Sequence, residues 1–171
     1  ILPSIISTMV GIYQYIENYP KAIEYLLRSI EMSEERNDVT TVAWSNGVIA
    51  DIYIELKDYD NALKFADACY EVSKESVNSH GILMAYRVYA GISAKNNDFE
   101  KAIEFANQGL KIANETNDLF IRSFMFELLS KQVYLPMNQF SKALDYCNKA
   151  LALYENSGAL LNKRDACDCI Y

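Results

Sequence analysis

The chain has 171 residues, of which 51% are hydrophobic and 23% charged, with only six Gly and three Pro, so disorder, collagen and low complexity are excluded. Acidic residues outnumber basic ones by 23 to 16, and the net charge of −7 argues against nucleic acid or an anionic membrane as partner. No apolar run of about 18 residues is present to span a bilayer.

The sequence opens at Ile1 with neither an initiator Met nor a basic stretch leading to a small-residue cleavage site, and it reads as a piece of a longer protein. Pro3 marks a predicted helix start, and the first helix carries Val10 and Tyr13 on its apolar face. A turn follows, and Tyr19-Pro20-Lys21-Ala22-Ile23-Glu24 starts a second helix. The same pattern (aromatic, two variable residues, Ala, aliphatic) returns at Tyr59-Asp60-Asn61-Ala62-Leu63, at Phe99-Glu100-Lys101-Ala102-Ile103 and at Phe140-Ser141-Lys142-Ala143-Leu144. Its alanines are 40, 40 and 41 residues apart. Capping or turn residues recur between these markers at Asp38, Asn78, Asp118 and Gly158. Each period therefore holds two turns and two helices.

The second unit shows the pattern most fully. Trp44, Val48, Ile49, Ile52, Tyr53 and Leu56 fall on one broad helical face, and after Lys57-Asp58-Tyr59 so do Ala62, Leu63, Ala66, Cys69 and Tyr70. Asp58, and Asp98 in the next unit, are placed to cap the second helix of their units. The slip to 41 lies between Ser130 and Ala143, around Pro136, and is expected to be a slightly longer turn. After Gly158, residues 159–171 read as the first helix of a fifth unit.

These residues resemble the tetratricopeptide repeat, whose first helix asks for large, aliphatic, small and Tyr positions and whose second asks for the recurring Ala. The small position is Val10, Ala50, Ala90 and Ser130, and the Tyr is Tyr13 and Tyr53, replaced by Ser93 and Val133 in units three and four. The usual Pro closing the second helix is missing, and the period exceeds the usual 34. A longer-repeat variant, similar to repeats of bacterial signalling proteins, is favoured over HEAT or armadillo repeats. The resemblance implies an all-α, right-handed α-solenoid of antiparallel helix pairs. It covers the whole chain as a single array, with repeats at about 1–37, 38–77, 78–117 and 118–157 and a partial fifth at 158–171.

Chemistry of other kinds finds little support. The single histidine, His80, falls in a predicted turn, Asn78-Ser79-His80-Gly81, and reads as a solvated loop residue. Cys167-Asp168-Cys169 offers two thiols where structural zinc wants four ligands. The four cysteines form no framework, and a reducing compartment such as the cytoplasm is favoured, with a periplasmic sensor segment left open. Carboxylate pairs such as Glu34-Glu35 read as solvated surface, and Gly47, Gly91 and Gly109 as points of close helix packing. No enzymatic activity, cofactor or metal is expected.

The resemblance also implies a concave groove lined by the first helices. Its family positions select Ser4, Trp44, Met84 and Phe124, then Ser7, Gly47, Arg87 and Glu127. They continue with Gly11, Asp51, Gly91 and Lys131, and with Tyr15, Glu55, Lys95 and Leu135. Trp44, Met84 and Phe124 form an apolar stripe; Arg87, Lys95 and Lys131 supply positive charge, and Asp51 and Glu55 oppose it. One reading has the stripe anchoring a peptide and the cations taking an acidic group of it; the other has the stripe packed in the core and the charges solvated. The Asn residues of the carboxylate clamp of chaperone-binding domains are not matched. The expected partner is a protein or peptide in the groove, without nucleic acid or membrane insertion, and the solenoid ends are surfaces for self-association.

Overall fold

The computed structural model describes residues 3–157, with side chains described from Ile5 to Tyr154. The expected fifth unit, with Gly158, Cys167 and Cys169, lies outside the described residues, as does the side chain of Ser4. The described residues contain eight α-helices and no strand. These are α1 (Pro3–Tyr15), α2 (Tyr19–Glu34), α3 (Val39–Glu55), α4 (Tyr59–Glu75), α5 (Ser79–Lys95), α6 (Phe99–Glu115), α7 (Leu119–Glu127) and α8 (Phe140–Ser157). Contacts divide the chain into two compact units, Ile1–Val88 and Tyr89–Tyr171.

One turn design joins the helices. A single residue enters the left-handed region, at Glu17, Asn37, Lys57, Val77, Asn97, Asn117 and Asn138, with φ between 53° and 60°. Its N–H and that of the next residue reach back to the closing helix: Lys57 N–H donates to the Ile54 carbonyl and Asp58 N–H to Tyr53, the double bond of a Schellman motif. The residue after it then caps the following helix. Asp38 accepts from the Thr41 N–H at 3.1 Å, Asp58 from Asn61 at 3.2 Å, Asn78 from Gly81 at 3.3 Å and Asp118 from Ile121 at 2.9 Å. C-cap and N-cap are thus fused within three residues at the turns closed by Asp38, Asp58, Asn78 and Asp118. Asn78 closes the turn, so His80 and Gly81, expected in a loop, stand in the first turn of α5.

In the first unit, Ile6, Val10, Ala22, Leu26, Ile49 and Ile52 form a buried core flanked by Tyr13, Tyr25 and Trp44. Ala22, Ala62 and Ala102 are wholly buried and Ala143 nearly so, which identifies the recurrent Ala as the point of tightest helix contact. Leu56, expected on the buried face of α3, is 47% exposed because it already belongs to the turn. Gly81 shows why α4 and α5 approach so closely: a Cβ there would lie 1.9 Å from Ser73 Oγ and 3.2 Å from the Ala43 Cβ. Gly47 lies under Met84, whereas a Cβ on Gly91 would meet nothing nearer than 3.9 Å, so close packing explains the first and not the second.

In the second unit, Met125, Leu128, Leu129 and Val133 are buried, and Ser130 Oγ donates to the Ala143 carbonyl at 2.7 Å. The extra residue of the fourth repeat is not spent in a longer turn. Asn138 and Gln139 bond back to Leu135 and Tyr134 as in the other turns, and the insertion is absorbed as a π-helical segment, Leu128–Tyr134. Leu135 N–H donates to Ser130, five residues back, and Pro136 next to it has no N–H to continue an α-helix.

Candidate functional site

The first unit holds a concavity lined by residues of α1, α2, α3 and the start of α5. It has a volume of about 330 Å³, and the half-buried indole of Trp44 lies in its wall with Thr40 and Thr41 beside it. Ser7 of α1 and Ser29 of α2 line it as well, and Asn78, His80 and Gly81 bring in the start of α5. The Asp38 cap sets the start of α3, accepting from both the N–H and the hydroxyl of Thr41, and these bonds hold the Asp38 carboxyl below the ordinary carboxylate range. The tight Gly81 contact with Ser73 brings the start of α5 close to the preceding helix.

Trp44 and Met84, neighbours in the expected stripe, are brought together by the structure. Met84 is buried over Gly47 in a cluster with Ala43 and Cys69, against which Trp44 packs, so the stripe is core at Met84 and cavity wall at Trp44. Asp51 and Arg87 also meet. The Arg87 guanidinium donates to both oxygens of Asp51, in a pair whose side chains keep 16% and 30% of their exposure. Burial raises the Asp51 carboxyl, the Arg87 charge and hydrogen bond pull it back, and Glu55, itself exposed, adds a repulsion. Desolvation pushes the nearby Cys69 thiol up to about 11, so Cys69 is protonated at neutral pH and is a packing residue.

In the second unit, Lys131 binds Glu127 at 3.1 Å, and the Tyr154 hydroxyl donates to the other Glu127 oxygen at 2.9 Å. Phe124 is half-buried and Lys95 exposed. The sequence reading left these cations either binding an acidic group or solvated, and did not pair Arg87 with Asp51 or Lys131 with Glu127. The i to i+4 spacing of Glu127 and Lys131 was a usable signal; Asp51 and Arg87, 36 residues apart, left none.

Aromatic partners on the second helices were missed too. Tyr25, Phe65, Phe105 and Tyr146 recur at the repeat spacing and stack on the first helices: Tyr13 on Tyr25 at 5.5 Å, Tyr53 on Phe65 at 5.6 Å, Tyr134 on Tyr146 at 5.3 Å. Where Ser93 replaces the expected Tyr, Tyr89, one turn earlier, meets Phe105 at 5.1 Å. Among the described residues no group of three or more His, Cys, Asp or Glu is placed to hold a metal ion, and no helix is long and apolar enough to cross a membrane.

Residues 40–115 match the family model of the tetratricopeptide repeat. None of the curated proteins matches the chain in sequence. Among solved structures, BtubC from P. vanneervenii is similar over 96% of this chain and 71% of its own, with 16% identity and a TM-score of 0.75. Aspartyl phosphate phosphatase F from Bacillus subtilis is similar over 96% of this chain with 16% identity and a TM-score of 0.71, and the match spans 46% of that protein. The putative kinesin light chain repeats of Podospora anserina match over 99% of this chain and 94% of theirs, with 14% identity and a TM-score of 0.62. At such identities the likeness shows the fold, an all-α solenoid of helix pairs. Residues 40–115 thus match the tetratricopeptide-repeat family, and the repeated turn and alanine contacts carry the same tetratricopeptide-like fold into the described helices on either side.

Proposed function

We propose that this chain is a non-enzymatic module that binds a protein segment or peptide on the faces of its first helices, and that it serves as the sensing or scaffolding part of a larger bacterial signalling protein. The carrying observation is the Trp44 cavity, which lies among residues of the first helices α1, α3 and α5 with Ser29 of α2, and presents an aromatic wall with hydroxyl and amide groups around it. Trp44, Asp51, Glu55, Met84 and Arg87 are the proposed binding residues of the first unit, and Lys95, Phe124 and Lys131 those of the second. Within this set, Arg87 and Asp51 act as a preorganised pair that fixes the surface, and Trp44 and the exposed Lys95 are the groups a partner meets. The signalling context draws on the likeness to the aspartyl phosphate phosphatase. In the related second reading, a short signalling peptide fills the groove and controls an attached kinase, diguanylate cyclase or DNA-binding output.

The test is selection of peptides from a displayed library on the immobilised chain, followed by affinity measurements on Trp44→Ala and Lys95→Glu. Peptides that bind the wild type and lose about tenfold or more on Trp44→Ala support the reading. Selection of no peptide, or equal affinity for both variants and wild type, defeats it. Compaction of the chain on peptide binding, seen in small-angle scattering, would favour the regulator over the scaffold.

A further inference from the structure

Resting on the binding reading above, the structure assigns a more definite chemistry to the Trp44 cavity: we propose that it is a pocket for a single tyrosine side chain of the bound peptide. Its volume, about 330 Å³, admits one aromatic side chain together with the backbone that carries it. The one aromatic ring among the described lining residues is the half-buried indole of Trp44, which favours a second ring in offset or edge contact over an aliphatic chain. No Asp, Glu, Lys or Arg stands among the described lining residues and His80 is their one ionisable side chain, so a charged side chain entering it would leave water without a permanently charged partner.

The rest of the wall selects for a polar tip. Thr40, Thr41 and Ser7 bring hydroxyls and Asn78 an amide, groups that both donate and accept. The Thr41 hydroxyl donates to Asp38 Oδ2 at 2.6 Å, which leaves its oxygen lone pairs as acceptors for an incoming phenol. A phenylalanine would have the ring contact without this bond, and the pocket should prefer tyrosine to phenylalanine by about three- to tenfold, the range of one net hydrogen bond. The pocket is built wholly within the first unit, from α1, α2, α3 and the start of α5.

The chain carries its own reporter, because Trp44 is the sole tryptophan. The 171-residue protein is titrated with N-acetyl-tyrosinamide, N-acetyl-phenylalaninamide and N-acetyl-aspartamide, exciting Trp44 at its red edge where tyrosine does not absorb. A saturable change with the tyrosine probe, weaker with phenylalanine and absent with aspartate, is the expected result. Ser7→Phe, a change at an exposed position of α1, should fill the cavity and abolish the response, with circular dichroism showing the helices intact. Thr41→Val should reduce the tyrosine preference while leaving the phenylalanine response.

No response to any aromatic probe at millimolar concentration overturns the inference, as does an equal response to aspartate or an unchanged response in Ser7→Phe. A peptide from the library selection that binds Ser7→Phe as well as wild type would overturn the tyrosine pocket and leave the binding module standing. Failure to select any peptide would fell the wider reading instead.

Discussion

Among the described residues, seven non-glycine residues turn through the left-handed region, and one of them is Val77, at φ 55° and 83% exposed. The others are four Asn, a Glu and a Lys; Asn bonds locally and tolerates this region, whereas a β-branched chain crowds its own backbone there. No side-chain burial offsets the strain at Val77. Val77→Asn should therefore stabilise the protein by about 1 kcal/mol, read as a raised urea midpoint with unchanged m-value. Gly81 makes the opposite case. Gly81→Ala drives a methyl into Ser73 and should cost about 2 kcal/mol, while Gly47→Ala meets only the flexible end of Met84 and should cost clearly less. Thermal melts of the two variants side by side check this ordering.

Asp38 gives a pH signature at the same scale. Its carboxyl is lowered by the Thr41 bonds, so its contribution is present above the unfolded carboxylate value and is lost as pH falls through the folded one. Asp38→Asn keeps the cap and removes the charge, since Asn caps as well as Asp. The stability difference between wild type and Asp38→Asn should favour wild type at neutral pH and shrink through the acid limb of the pH profile. Asp51 has the opposite sign: with its carboxyl raised, the stability linked to its proton is present at low pH and is lost as pH rises through its folded value.

The element scale separates what was legible in the sequence from what was not. Capping residues such as Asp38, Asn78 and Asp118 and the recurring Ala located the helix starts because each acts within three or four residues of itself, whereas the left-handed residue before each cap, Asn37 and Asn117 among them, was not singled out. The π-helical segment was not legible, because Leu128, Leu129 and Val133 keep a helical apolar pattern through it and only the count of 41 betrayed the insertion. Removing Gln132, which is exposed, should restore the common period and convert the segment to α-helix with a melting temperature within a few degrees of wild type. Loss of cooperative unfolding in that deletion would show that the π-helix is required for the fold.

At the scale of the molecule, the fold followed from repetition, since four copies of one aromatic-x-x-Ala-aliphatic segment are hard to produce otherwise. The candidate site was only half legible. Trp44 was picked out by family position and stands in the cavity wall, but Ser29, Thr40 and Thr41 beside it were not singled out, and the first turn of α5 was expected to be a loop. Arg87 and Lys131 were identifiable as first-helix cations; the Glu127 partner of Lys131 stands at readable i to i+4 spacing, whereas the Asp51–Arg87 pair spans 36 residues, beyond any spacing rule.

The account's central claim is that binding occupies the first helices. Hydrogen–deuterium exchange of the chain, with and without a library-selected peptide, tests it most directly. Added protection at residues 39–44 and 78–81, with α4 and α6 unchanged, is the expected result; protection confined to α4 or α6 would place the partner on other faces and contradict the account.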